Sequence, residues 1–123
     1  MSILGTVLIG ALLFRGALWV VDTPTFVDLT IVNPTAYDVY VDARSSGDPA
    51  LVGLGRVRHG REAGFDGVLD QGDVWVFEFD YGGVDAGSLE VTREDLVDSD
   101  WRVEVPTAVA TELEAAGIGL PPP

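Results

Sequence analysis

One histidine, no cysteine and twenty carboxylates set the chemistry open to this 123-residue chain. His59 is the sole imidazole, and it sits in a turn between Arg58 and Gly60. A Ser-His-Asp arrangement would have to recruit Ser45, Ser46, Ser88 or Ser99. None of these lies in a strained G-x-S-x-G turn, the setting that exposes a nucleophilic serine. The composition therefore predicts a solvated loop histidine and no catalysis. A chain without cysteine has no disulfide, thiolate metal site or thiol nucleophile.

Carboxylates could instead hold a hard cation. Asp66, Asp70 and Asp73 flank one turn, and Glu94, Asp95, Asp98 and Asp100 crowd another. Calcium takes six to eight oxygens, and acidic loops between strands can supply several. Neither stretch has the EF-hand spacing, so these seven residues are calcium candidates on proximity alone. With twenty acids in the chain, solvated loop charge gives the same pattern. No cofactor is expected.

Charge limits the partners. Twenty Asp and Glu stand against seven arginines and no lysine, a formal net charge of −13. Such a chain is repelled by nucleic acid and by anionic lipid surfaces. Cationic partners, metal ions and high salt remain compatible with it. An acid-rich, lysine-poor bias across the whole chain is also what a salt-adapted or high-GC genome produces.

The remaining chemical anomaly is Arg15, the one charge inside an apolar run of residues 2–21. As a helix, the first 21 residues would be about 31 Å long at ~1.5 Å per residue. That matches a bilayer core of about 30 Å. Arginine at mid-bilayer costs roughly 2.5–3.5 kcal/mol, while each Leu, Ile, Val or Phe contributes about −0.3 to −0.6. Eleven such residues outweigh one arginine that can snorkel toward the end of the segment. Trp19 falls where an interfacial aromatic belongs. Ser2, Thr6 and Gly10, spaced by four, share one helix face and would permit close helix packing.

The run is therefore read as a single-pass membrane anchor. Two alternatives stand beside it. One is a cleaved signal peptide, which would make the protein secreted, although it lacks a basic leader and an A-x-A site. The other is a helix ending near Phe14, with residues 17–21 as a strand of the body. Few basic residues flank the run, and the acidic side after Asp22 favours a body outside the cytoplasm.

Positioning the candidate residues falls to the remainder of the chain. Residues 22–25 read as a linker and 26–117 as the folded domain. Alternating apolar and polar residues mark strands at 26–33, 37–42, 51–58, 62–69, 73–81, 88–91 and 101–105. The segment 33–36 (NPTA) reads as a turn that would make the first two strands a hairpin. Gly53 and Gly55 suggest a bulge or a close backbone approach. Trp75, Phe77, Phe79 and Tyr81 share one face and are expected to be core. Thr92 is expected to cap a helical turn. Residues 107–116 read as a short helix ended by Gly117, and residues 118–123 form a proline-rich tail.

Seven strands in about 100 residues predict an antiparallel β-sandwich, immunoglobulin-like in strand count alone, because the Cys…Trp…Cys signature is absent. The functional expectation is a non-catalytic, extracytoplasmic interaction domain tethered to the membrane. Its partner would be a protein or another envelope component. The alternative is a small accessory subunit of a membrane complex, packing through the N-terminal helix.

Overall fold

The structure is a computed structural model that describes residues 25–122. The membrane-helix candidates Ser2, Thr6, Gly10, Arg15 and Trp19 lie outside the described residues. No helix among the described residues is long and apolar enough to cross a membrane.

Seven strands and two short helices run in order: β1 (Phe26–Asn33), β2 (Val39–Ser45), β3 (Val52–Val57), β4 (Arg61–Leu69), β5 (Val74–Tyr81), β6 (Val84–Thr92), α1 (Arg93–Asp98), β7 (Arg102–Glu104) and α2 (Thr107–Ala115). They form a three-stranded sheet, β4-β1-β7, and a four-stranded sheet, β3-β2-β5-β6. The period of two read from the sequence places Leu29 and Ile31, then Val39 and Val41, then Trp75, Phe77 and Phe79 on inward faces, and the structure adds Ala43 beyond Val41. These side chains from both sheets meet in one buried cluster. The aromatic row of β5 is thus core, although Tyr81 at its end is half-buried. Leu96, Val109 and Leu113 close the cluster from the helices.

Two expectations fail. The first two strands do not form a hairpin. β1 pairs with β4 and β7, whereas β2 pairs with β3 and β5, so residues 34–38 carry the chain from one sheet to the other. Nor are the sheets wholly antiparallel: β7 runs parallel to β1, with Ile31 opposite Val103. Strand β6 also begins at Val84, earlier than its sequence suggests, because Gly82 and Gly83 (φ 60° and 79°) form a tight turn that pairs Tyr81 with Val84. The β3 glycines act as expected. The register of β2 on β3 slips where Val41 faces Gly55 and Asp42 faces Gly53. A Cβ on Gly55 would lie 3.3 Å from the Phe65 ring.

Both helices end in the same hydrogen-bonded pattern. The Ile118 amide donates to Leu113 O and the Gly117 amide to Glu114 O, a Schellman closure with Gly117 at φ 81°. At α1 the equivalent bond runs from the Trp101 amide to Leu96 O at 2.7 Å. The left-handed positions there are Asp100 (φ 58°) and Trp101 (φ 60°), where glycine is usual. The N-terminus of α1 is capped as expected, Thr92 Oγ1 accepting from the Asp95 amide at 3.1 Å.

Candidate functional site

The crossing between the sheets is built on Asn33, whose side chain is fully buried. Its amide nitrogen donates to Tyr37 O (2.7 Å) and Val57 O (3.0 Å). Its oxygen accepts from the Thr35 amide (3.0 Å) and the Thr35 hydroxyl (2.7 Å). All four hydrogen-bonding positions of the side chain are thereby used. This ties the loop at residues 34–38 to the end of β3.

The same loop holds the β3–β4 turn. The Gly60 amide donates to Thr35 O at 3.2 Å. Asp38, also buried, accepts from the His59 amide (2.9 Å) and from His59 Nδ1 (2.7 Å). An ionised carboxylate only accepts, so Nδ1 carries the proton. The His59 ring and then its backbone N–H outweigh burial and hold the Asp38 carboxyl below its ordinary value. His59 is therefore a paired residue, half-buried, and not the solvated loop histidine its neighbours suggest. The pair lacks a serine. Ser45 and Ser46 sit at the far end of β2, seven residues from Asp38 or about 23 Å along the strand. Ser88 lies opposite Glu78 on β6, the edge strand of the four-stranded sheet. The Ser99 hydroxyl lies within hydrogen-bonding distance of Leu96 O and Arg102 O at the end of α1, its one proton serving either acceptor.

Around this pinned turn stand Arg56, Arg58 and Arg61, all exposed. The other described arginines are each in an ion pair: Arg44 with Glu78 (2.7 Å), Arg102 with Glu62 (2.9 Å), and Arg93 with Asp70. The three turn arginines have no ion pair among the described residues. Arg56 is the cross-strand partner of Tyr40, which is 43% exposed and stacks on Tyr81 with ring centroids 6.1 Å apart. Sequence reasoning singled out none of these residues, although the run R-V-R-H-G-R at 56–61 holds three of the chain's seven cations.

The calcium candidates are not gathered. Among the described residues no three His, Asp or Glu side chains are placed to hold a metal ion. Asp70 is already engaged: burial pushes its carboxyl up, but the Gly72 amide, Arg93 and the Thr25 hydroxyl outweigh this and hold it below its ordinary value. Arg93 in turn lies 5.4 Å above the Trp101 ring, which packs edge-on against Trp75. Asp66 stands apart on β4, beside the cleft between β3 and β4. Asp73, Glu94 and Asp98 border a shallow depression at α1. Asp95 and Asp100 are exposed at the two ends of that helix. A different acidic row was not anticipated: Asp42 and Glu78 are directly opposite on the outer face of the four-stranded sheet, with Asp80 next along β5. Burial, then Asp80 and Glu78, push the Asp42 carboxyl up.

Comparison with protein-family models, curated proteins and solved structures found no match.

Proposed function

We propose that the chain is a membrane-anchored β-sandwich, immunoglobulin-like in strand count, whose acidic folded part lies outside the cytoplasm as a non-catalytic interaction domain. One observation carries the reading. Residues 2–21 hold eleven Leu, Ile, Val or Phe and a single charge, and as a helix would be long enough to cross a bilayer. A segment of that length and hydropathy has the bilayer as its natural solvent. The geometry around His59 also supports a binding role: the residues are held by hydrogen bonds to one another and present cations and a tyrosine outward. Arg15 favours a second reading, an accessory subunit in which that charge pairs with an acidic residue of a partner inside the membrane.

An alkaline carbonate wash of membranes from cells expressing the full chain tests the anchor. The full-length protein is expected in the pellet. Its release intact into the supernatant overturns both membrane readings.

A further inference from the structure

We infer that the β3–β4 turn is a docking tip for an acidic peptide segment of a partner protein, read by Arg56, Arg58 and Arg61. The inference rests on the proposed anchored interaction domain and names the surface and the chemistry of its partner. In a chain with twenty acids and seven arginines, an exposed guanidinium finds carboxylates easily. Arg44, Arg93 and Arg102 have done so. The three that remain unpaired among the described residues all fall within six positions of one turn. Placing three like charges together opposes folding through their mutual repulsion. Arg56 acts through space on the buried Asp38 carboxylate, but all three side chains are exposed and none is in an ion pair with a described carboxylate.

The turn is also rigid. The Gly60 amide is fixed to Thr35 O, the Arg61 amide to Arg58 O, and the His59 amide and ring to Asp38. Binding to a surface already held in place loses less conformational freedom. Its position suits a tethered domain. Phe26, where the chain enters β1, pairs with Leu69, whereas Asn33 at the other end of β1 pairs with Arg61. The turn thus lies one strand length, about 23 Å, from the entry of the chain and points away from an anchor.

The chemistry favours peptide carboxylates. A guanidinium fork matches a carboxylate in two parallel hydrogen bonds. Tyr40, beside Arg56, adds an exposed aromatic surface, and tyrosine and arginine are the residues enriched at protein interfaces. A polyanion of high linear charge would meet the repulsion of the whole −13 chain. A short segment with two or three carboxylates meets chiefly the turn.

The test measures fluorescence anisotropy of a labelled Gly-Glu repeat peptide titrated with the full chain in a neutral detergent, at about 150 mM salt, where the Debye length of about 8 Å confines the peptide's electrostatic contacts to its immediate surroundings. This arm reports on the tip whether or not the chain is anchored in cells. The expected result is saturable binding that weakens about tenfold or more in the triple variant Arg56→Gln, Arg58→Gln, Arg61→Gln. A variant with the same change in net charge placed elsewhere, Arg44→Gln with Leu51→Glu and Val97→Glu, is expected to bind within about twofold of the parent. No binding by the parent, or equal losses in both variants, overturns the inference. So does binding of alginate in place of the peptide, which would assign the tip to an anionic polysaccharide.

Discussion

Replacing Asn33 should be the most damaging single polar change in the folded part. Its amide closes four buried hydrogen bonds across the passage between the sheets. In Asn33→Ala the Thr35 hydroxyl, freed from Asn33, can turn its one proton to Tyr37 O at 3.1 Å, but the Thr35 amide and Val57 O lose the side-chain partner that Asn33 supplied. A buried polar group left unpaired costs about 1–3 kcal/mol, so the two together give about 3 kcal/mol. Against a total stability of about 5–15 kcal/mol, that is a large fraction. It corresponds to a Tm lower by about 12–24 °C at the usual ~4–8 °C per kcal/mol for a domain this size.

Asn33→Asp sharpens the case. It keeps the shape but turns the donor into an oxygen facing Tyr37 O and Val57 O. The buried, carbonyl-facing carboxyl takes up a proton on folding, so its folded-state pKa rises above the unfolded one. The destabilisation is then complete at neutral pH and recedes as pH falls through the raised value. Near-UV circular dichroism melts, reporting on Trp75 and Trp101 in the full chain, should show both losses at pH 7. Lowering the pH to about 5 should narrow the gap to wild type for Asn33→Asp and leave it unchanged for Asn33→Ala. An Asn33→Ala protein within about 1 kcal/mol of wild type, or an Asn33→Asp protein tolerated at pH 7, refutes the assignment of this residue as the tie between the sheets.

The charges give three further outcomes. Asp42→Asn removes a like-charge pair with Glu78 and should stabilise by about 0.5–1 kcal/mol at pH 7. Because the Asp42 carboxyl is raised on folding, the penalty is present above its folded pKa and absent once it is protonated; urea melts should show no gain at pH 3. Asp38→Asn should cost about 1.5–3 kcal/mol, the usual worth of a hydrogen bond to a charged group. Its carboxyl is depressed on folding, so the loss is full above the ordinary carboxylate pKa and shrinks as pH falls through the folded value. Arg15→Leu removes the one costly residue of the apolar run; a free-standing anchor should stay in the carbonate pellet with the same co-purifying proteins, whereas an accessory subunit should lose its partner.

The strands were legible because half-buried strands write a period of two into the chain. The row Trp75, Phe77, Phe79 and the alternation of 26–33 and 37–42 could be read without any partner strand. Pairing could not. Asn33 and Pro34 look the same whether they join neighbours in one sheet or cross between two, and what decides is the burial of Asn33 against Val57, twenty-four residues on. The parallel β7 is only three residues long, too short to announce its direction. His59 was misread for a related reason. Its partner Asp38 comes after a tyrosine at the start of a strand and alternates as if facing solvent, and nothing local says that it is buried. The arginines were open to view as a run of types, but their significance depends on which others are paired, and that is a property of the fold.

The absence of cysteine from the chain offers a direct test of the central proposal. Leu120 is 66% exposed in the tail beyond α2, so Leu120→Cys places a single thiol on the surface of the folded part. Intact cells expressing this variant are treated with a membrane-impermeant maleimide before a carbonate wash. The account predicts full-length, labelled protein in the pellet. Labelling only after lysis puts the domain on the cytoplasmic side, and labelled protein free in the supernatant removes the anchor; either contradicts it.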